Sequence, residues 1–168
     1  MIIYSGMKQY KVALFIGRFQ PFHKGHLYSL KKCFELADQV IVGIGSSQES
    51  GTENNPWDFE TRKAMIESLD LQGDSLKVVA LPDYPDDEVW LKEVKERVGN
   101  FNVVVSNNEW VLSIMQKAGY KTVETGLFNR EELEGVKIRQ LMKDQDESWK
   151  LRVPQEVVGL VMSEEQFR

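Results

Sequence analysis

The chain has 168 residues, a length that suits one domain with a sizeable core and is short for two. Hydrophobic residues make up 42% and charged residues 28%, as in ordinary water-soluble proteins, and no apolar run is long enough to cross a bilayer. The formal net charge of -5 excludes a broad basic face, so an anionic ligand must be held by a few concentrated cations. The composition therefore favours a small phosphorylated ligand, and we expect neither a nucleic-acid partner nor a membrane partner.

The cysteine count and the absence of repeats indicate the redox setting and the number of domains. The single cysteine, Cys33, excludes an internal disulfide and a zinc site made of cysteines. With no visible secretory leader, we expect a reducing, cytoplasmic setting. No internal repeat or low-complexity tract divides the sequence, so we expect residues 1–168 to form one domain, with residues 1–9 as a loosely held extension.

Short β-branched and aromatic runs alternate with segments of helical periodicity along the chain. The predicted strands cover residues 11–16, 39–44, 76–81, 102–106 and 122–124. Predicted helices begin near residue 25 or 26, run from a cap at Asp58 to about residue 69, and cover 88–98, 109–118, 136–143 and about 154–162. This alternation predicts parallel pairing with right-handed crossovers. We therefore expect an α/β, Rossmann-like, doubly wound parallel sheet of about five strands.

Ligands of such sheets bind beyond the carboxyl ends of the strands. In this chain those ends lead into loops that start at Gly17, Gly45, Pro82 and Ser106. The polar stretch 48–57 also lies there, and irregular stretches of this length often bind ligands. The strand ends therefore predict where the functional site is.

The first of these loops is the richest in chemistry. Gly17 lets the backbone approach a ligand, Arg18 supplies a planar multi-donor cation, and the chain's two histidines, His23 and His26, flank Gly25 where a helix begins. A helix N-terminus exposes unpaired N–H groups that stabilise phosphate oxygens. Each histidine alone could simply cap a turn or pack in the first helical turn. Their concentration in one strand-to-helix turn favours a phosphate site.

Other nucleotide and hydrolase motifs are absent from the sequence. There is no GxxxxGK[ST] loop, and residues 43–48 lack the third glycine of a dinucleotide fingerprint. No Ser-His-Asp arrangement is evident, and two histidines three residues apart without a following glutamate do not make a zinc-protease helix. We predict no metal ligands among the side chains.

The string GRFQPFHKGH resembles the opening of the HxGH nucleotidylyltransferase superfamily, and most closely that of archaeal-type nicotinamide mononucleotide adenylyltransferases. Similar residues recur at the IGSSQ string ending at Gln48, the 55–57 turn followed by Arg62, Trp90, SNN at 106–108, KIRQLM at 137–142 and SWKLRVPQEVV near the end. The likeness covers nearly the whole chain after Lys8. The loop combined with the downstream IRxLM element is strongly specific.

The resemblance implies adenylyl transfer from ATP to nicotinamide mononucleotide, giving NAD and pyrophosphate in NAD biosynthesis. By the same resemblance, the catalytic residues would be His23, His26, Arg18 and Arg139. Those binding ATP and its phosphates would be Gly17, Phe19, Lys24, Gly25, Arg62, Asn107 and Lys137, and those binding the nicotinamide nucleotide would be Trp90, Asp87 and Ser46. It further implies Mg²⁺ held largely by substrate and water, and a homo-oligomer.

The sequence departs from the family pattern at two places. Asp87 stands where the family often has an asparagine that recognises the carboxamide, and Glu134 and Val136 replace the serine and threonine of SGTxIR. Val136 can neither cap the helix nor donate to phosphate. Two alternatives stay open: an adenylyltransferase for another phosphorylated acceptor, such as phosphopantetheine or a flavin nucleotide, and a non-catalytic nucleotide sensor.

Overall fold

Five parallel strands form the sheet in the computed structural model, which describes residues 7–71, 75–126, 129 and 131–163. The strands are β1 (Tyr10–Gly17), β2 (Ala37–Ile44), β3 (Leu76–Ala80), β4 (Val103–Val105) and β5 (Lys121–Val123). Their order is β3-β2-β1-β4-β5, and every neighbouring pair is parallel. The predicted α/β fold, a doubly wound parallel sheet, is therefore confirmed.

Each predicted helix is also present, with small shifts at its ends. The helices are α1 (Lys24–Leu36), α2 (Phe59–Glu67), α3 (Asp87–Val98), α4 (Glu109–Lys117), α5 (Gly135–Lys143) and α6 (Gln155–Val161). A short 3₁₀ helix over Glu147–Leu151, which the sequence pattern did not predict, joins α5 to α6. Within the described ranges, no helix is long and apolar enough to cross a membrane.

Side chains of the central strands alternate between two apolar layers. Ala13 and Phe15 of β1 pack with α1, α2, α5, α6 and the 3₁₀ helix on one face. Leu14 and Ile16 pack with α3 and α4 on the other. Strands that are buried on both faces have continuous hydrophobic sequences, as β1 and β2 do.

The strand order reverses between β1 and β4. The chain builds outward from β1 through β2 to β3, and then α3 carries it back across the sheet to β4 on the other side of β1. Such a reversal leaves a crevice beyond the carboxyl ends of the two strands, because their following loops diverge to opposite faces. The loops at Gly17 and Ser106 meet at this crevice.

Arg62 of α2 holds the strand-end loops together from inside the protein. Its side chain is 0% exposed, and Nη1 donates to the carbonyls of Arg18 and Gly45 at 2.9 and 2.8 Å. Nη2 donates to the carbonyl of Ser46 at 3.1 Å, and Nε donates to that of Asp58 at 3.1 Å. Burial lowers the pKa of this guanidinium to about 10, so it stays protonated at neutral pH. Arg62 thus ties the ends of β1 and β2 to α2.

We predict that Arg62→Met lowers the free energy of unfolding by about 3 kcal/mol, because several buried carbonyls lose a charged donor. Urea denaturation followed by circular dichroism measures this. Lys63→Met is the matched control on the same helix: Lys63 Nζ lies 3.9 Å from a Glu67 carboxylate oxygen in an exposed pair, so its loss should cost about 0.5 kcal/mol or less. Equal stability of the two variants would show that Arg62 does not hold the loops.

Candidate active site

A cavity of about 350 Å³ opens at the crevice between β1 and β4. Its volume lies within the range of small-molecule sites. The lining comes from five parts of the chain: residues 15–20, the start of α1 with its cap, residues 106–108 after β4, Gly126 after β5, and the segment that starts α5, including Arg139. The structure therefore brings the first loop and the late helical motif to one site.

His23 and His26 cap the first turn of α1 by exchanging hydrogen bonds. His23 Nδ1 accepts from the backbone N–H groups of Gly25 and His26 at 3.1 and 3.3 Å. The backbone N–H of His23 donates to His26 Nδ1 at 3.2 Å. Because both Nδ1 atoms are acceptors, each neutral ring carries its proton on Nε2. The arrangement is a capping box with imidazoles in both positions.

Packing around the two rings fixes their orientation. The imidazoles stack with centroids 3.5 Å apart, and Phe19 meets His26 edge-on at 4.8 Å. A Cβ atom at position 25 would lie 3.0 Å from two atoms of the His23 ring, so glycine is the residue that fits beneath it. Phe19, predicted to contact phosphate, lines the cavity with a ring that is 1% exposed and packs on His26.

Burial keeps both histidines neutral in the free protein. It lowers the pKa of His23 to about 3. It also lowers the pKa of His26 well below the usual range, and the neighbouring His23 lowers it further. An entering anion would favour the protonated form of either ring. The free site therefore presents two neutral imidazoles as N–H donors.

Two arginines supply the positive charge of the cavity. Arg18 and Arg139 both line it, from the end of β1 and from α5. Burial lowers the pKa of Arg139, and the like charge of Arg18 lowers it further. Two like charges that line one cavity favour an anion between them. The cavity thus combines neutral donors with two fixed cations.

A polar network lies beside the histidines at the end of β4. Asn107 Oδ1 accepts from the backbone N–H of Thr125 at 3.1 Å, and its Nδ2 donates to Thr125 Oγ1 at 3.2 Å. Thr125 Oγ1 also lies 2.6 Å from Ser29 Oγ on α1. Asn107, predicted to bind ATP, lines the cavity, as does Ser29, a residue 2% exposed that the sequence analysis did not select.

Six of the predicted phosphate- or nucleotide-binding residues do not line the cavity, and four of them are Arg62, Ser46, Lys24 and Lys137. Arg62 was expected to bind phosphate, but backbone carbonyls occupy its guanidinium, so its role in this structure is to position the loops. Ser46 accepts from Arg62 through its carbonyl and does not line the cavity. Lys24 faces a separate cavity of about 280 Å³. Lys137 is absent from the lining, and its Nζ lies 3.8 Å from a carboxylate oxygen of Glu134.

The predicted nicotinamide-binding residues form a group around α3. Trp90 is 2% exposed and packs in the core, with its ring centroid 4.8 Å from that of Trp110. Asp87 accepts from Trp110 Nε1 at 3.1 Å. Neither Trp90 nor Asp87 lines the cavity. Their roles toward the nicotinamide stay predictions, and stacking on Trp90 would require its ring to become accessible.

Gln20 is a cavity residue that the sequence analysis missed. It stands inside GRFQPFHKGH, but its charge-free side chain gave no chemical reason to select it. In the structure it is 4% exposed and contacts both Trp57 and Arg139. Its position in the motif was the available signal, and its contacts could not be read from the sequence.

Comparison with known proteins agrees with this geometry. Residues 14–148 match the family described as cytidylyltransferase-like. A nicotinamide-nucleotide adenylyltransferase of Haloarcula marismortui is 38% identical over 148 residues, covering 88% of this chain and 78% of the relative. One from Pyrococcus furiosus is 39% identical over 156 residues, covering 90% and 82%.

A solved structure shows the same fold in a longer protein. The bifunctional NMN adenylyltransferase/ADP ribose pyrophosphatase of Francisella tularensis, complexed with AMP and a Mn ion, superposes with a TM-score of 0.79 at 26% identity. The match covers 94% of this chain and 51% of that one, so the present chain spans about half the length of the bifunctional protein. Together with the identity to the archaeal proteins, these matches show that the chain belongs to the cytidylyltransferase-like family, among the nicotinamide-nucleotide adenylyltransferases.

Proposed function

We propose that the cavity joins ATP to nicotinamide mononucleotide, forming NAD and releasing pyrophosphate. The observation that carries the proposal is the meeting of the two imidazoles of His23 and His26 with Arg18 and Arg139 in one cavity. The curated relatives bear the name of this activity. We therefore assign the chain to the nucleotidyltransferases.

The proposed reaction needs alignment and charge stabilisation rather than a general base. A phosphate oxygen of the mononucleotide attacks the α-phosphorus of ATP, and the bond from that phosphorus to the β-phosphate bridging oxygen breaks. The nucleophile is already an anion, so no proton must be removed. The Nε2–H donors of His23 and His26 stabilise the transferred phosphoryl group, and the Arg139 cation stabilises the leaving pyrophosphate.

The first turn of α5 would add backbone donors to this grip. Its N-cap residue, Glu134, makes no hydrogen bond from its side chain to the first turn. The N-terminus of α5 lines the cavity through Glu134, Gly135 and Val136. Exposed N–H groups and the partial positive charge of a helix N-terminus favour phosphate at this position.

We propose that Mg²⁺ enters with the polyphosphate. Among the described residues, no group of three or more histidine, cysteine, aspartate or glutamate side chains could hold a metal ion. Substrate phosphates and water would then supply most of its ligands, as is usual for Mg²⁺. A bound ion would neutralise charge on the leaving group. A cytoplasmic location and a homo-oligomeric state stay predictions.

The direct test is to incubate the purified protein with magnesium-ATP and each candidate acceptor and to separate the products by chromatography. We expect NAD with nicotinamide mononucleotide, and no adenylylated product with phosphopantetheine or a flavin nucleotide. In a His26→Ala variant, turnover should fall by about 100-fold or more while mononucleotide affinity changes little, because one phosphate donor is lost.

The exposed residue Glu35 on the same helix provides a control, since Glu35→Ala should leave turnover unchanged. ATP binding without any product would favour the sensor alternative. Equal turnover in His26→Ala and the unchanged protein would refute a role for His26 at the phosphates.

The neutral state of the histidines predicts a pH-dependent stability. Unfolded His23 takes up a proton as the pH falls below about 6.5, whereas the folded residue does so only near its pKa of about 3. Stability is therefore lost as the pH falls through this window. Between pH 7 and pH 5, the contribution of His23 should shrink by about 2 kcal/mol. Urea denaturation at both pH values measures it.

His23→Asn is the informative variant, because asparagine retains a capping acceptor but does not titrate. The unfolding free energy of this variant should fall by about 2 kcal/mol less between pH 7 and pH 5 than that of the unchanged protein. An identical decrease in both proteins would show that His23 is not held neutral by the fold.

Because Val136 has no donor, we predict that a hydroxyl at this position would improve ATP binding. Its side chain is 62% exposed and lines the cavity but has no donor. Val136→Thr should lower the KM for ATP by about fivefold, since one added hydrogen bond contributes about 1 kcal/mol. Val136→Ala is the control and should leave the KM unchanged. Equal KM values for the two variants in steady-state assays would argue against a phosphate near this residue.

A further inference from the structure

The side-chain amide of Gln20 is fixed by the backbone of one distant residue. Gln20 Nε2 donates to the carbonyl of Trp57 at 2.9 Å, and Gln20 Oε1 accepts from the backbone N–H of Trp57 at 3.1 Å. Both bonds are buried. Two bonds running in opposite directions set the position and the plane of the amide. They tie the first loop to the end of the 48–57 stretch.

The main chain of Gln20 makes a second connection, to α5. Its carbonyl accepts from Arg139 Nη1 at 2.6 Å across 119 residues of sequence. A Cβ atom at position 135 would lie 2.8 Å from the same carbonyl oxygen and 3.1 Å from Arg139 Nη1. Only a glycine at 135 allows α5 to approach this closely without displacing the peptide. The Gln20 peptide is therefore the contact at which α5 meets the first loop.

We propose that Gln20 is a positioning residue, which acts on catalysis by holding the guanidinium of Arg139 at the leaving-group side of the cavity. The inference rests on the proposed function. The Trp57 bonds prevent the Gln20 peptide from rotating, and the fixed carbonyl then directs Arg139 through a charge-assisted hydrogen bond. Without the anchor, Arg139 keeps its charge but loses its fixed direction. Misplacing a catalytic group by about 1 Å can cost about 100-fold in rate.

The test is a double-mutant cycle between Gln20→Met and Arg139→Ala. Methionine matches the length of glutamine but makes neither bond to Trp57. We expect Gln20→Met to lower kcat/KM for ATP by about 10- to 100-fold, with the KM for the mononucleotide nearly unchanged. In the Arg139→Ala background, the same substitution should have almost no further effect, because the group it positions is gone.

If Gln20 only stabilised the fold, the double-mutant cycle would give a different result. If Gln20→Met lowered kcat/KM by the same factor in both backgrounds, or had no effect in either, the proposal would be overturned. Gln140→Met on α5 is the matched control: Gln140 Nε2 donates to Asp144 Oδ1 at 2.9 Å at an exposed position of the helix, and its substitution should leave activity unchanged.

Two additional measurements keep the test decisive. Should Gln20→Met fail to fold, Gln20→Asn keeps the amide but is one methylene too short to make both bonds to Trp57, and its effect on kcat/KM should likewise vanish with Arg139→Ala. The dissociation constant of magnesium-ATP is also measured by calorimetry for the four proteins of the double-mutant cycle. If the unchanged protein bound ATP but formed no NAD, the proposed function would fail, and the coupling in ATP affinity would still decide the role of Gln20.

Discussion

The reciprocal hydrogen bonds between His23 and His26 are the constraint on which the site depends. They use both Nδ1 atoms to satisfy the first turn of α1, and so leave each Nε2–H as the donor that can serve a ligand. One set of contacts thereby does two things: it begins the helix and sets the tautomer of both rings.

The sheet and nearly all its helices could be predicted because their signals are local. Buried strands, turn residues and the Asp58 cap each appear within a few residues of sequence, and Asp58 does accept from the N–H of Thr61 at 2.8 Å. The 3₁₀ helix at Glu147–Leu151 was missed because five residues are too few to show a period. The sequence predicted a site at the loops that start at Gly17, Gly45, Pro82 and Ser106, and the strand order seen in the structure narrows this to the reversal between β1 and β4.

Individual side-chain roles were less predictable, because the sequence shows a side chain's charge but not the direction in which it points. The charge of Arg62 is visible in the sequence, but its direction is not: the strand-end carbonyls required a buried donor, and Arg62 satisfies them. For Trp90 a signal was available. Trp90, Val94 and Val98 recur every four residues on α3, which is the spacing of a buried helical face, and all three are buried.

The site combines neutral imidazole donors with permanently charged guanidinium groups, and these come from distant parts of the chain. Imidazoles that burial keeps neutral can donate to phosphate without repelling each other at a centroid distance of 3.5 Å, whereas two protonated rings could not stack so closely without a counter-charge. One of the permanent charges belongs to Arg139, which α5 carries. Arg139 Nη1 donates to the Gln20 carbonyl at 2.6 Å, so a peptide of the first loop, which also carries the histidines, contacts the guanidinium directly. If the proposed reaction takes place here, the geometry of phosphate binding would depend on how firmly that peptide is held.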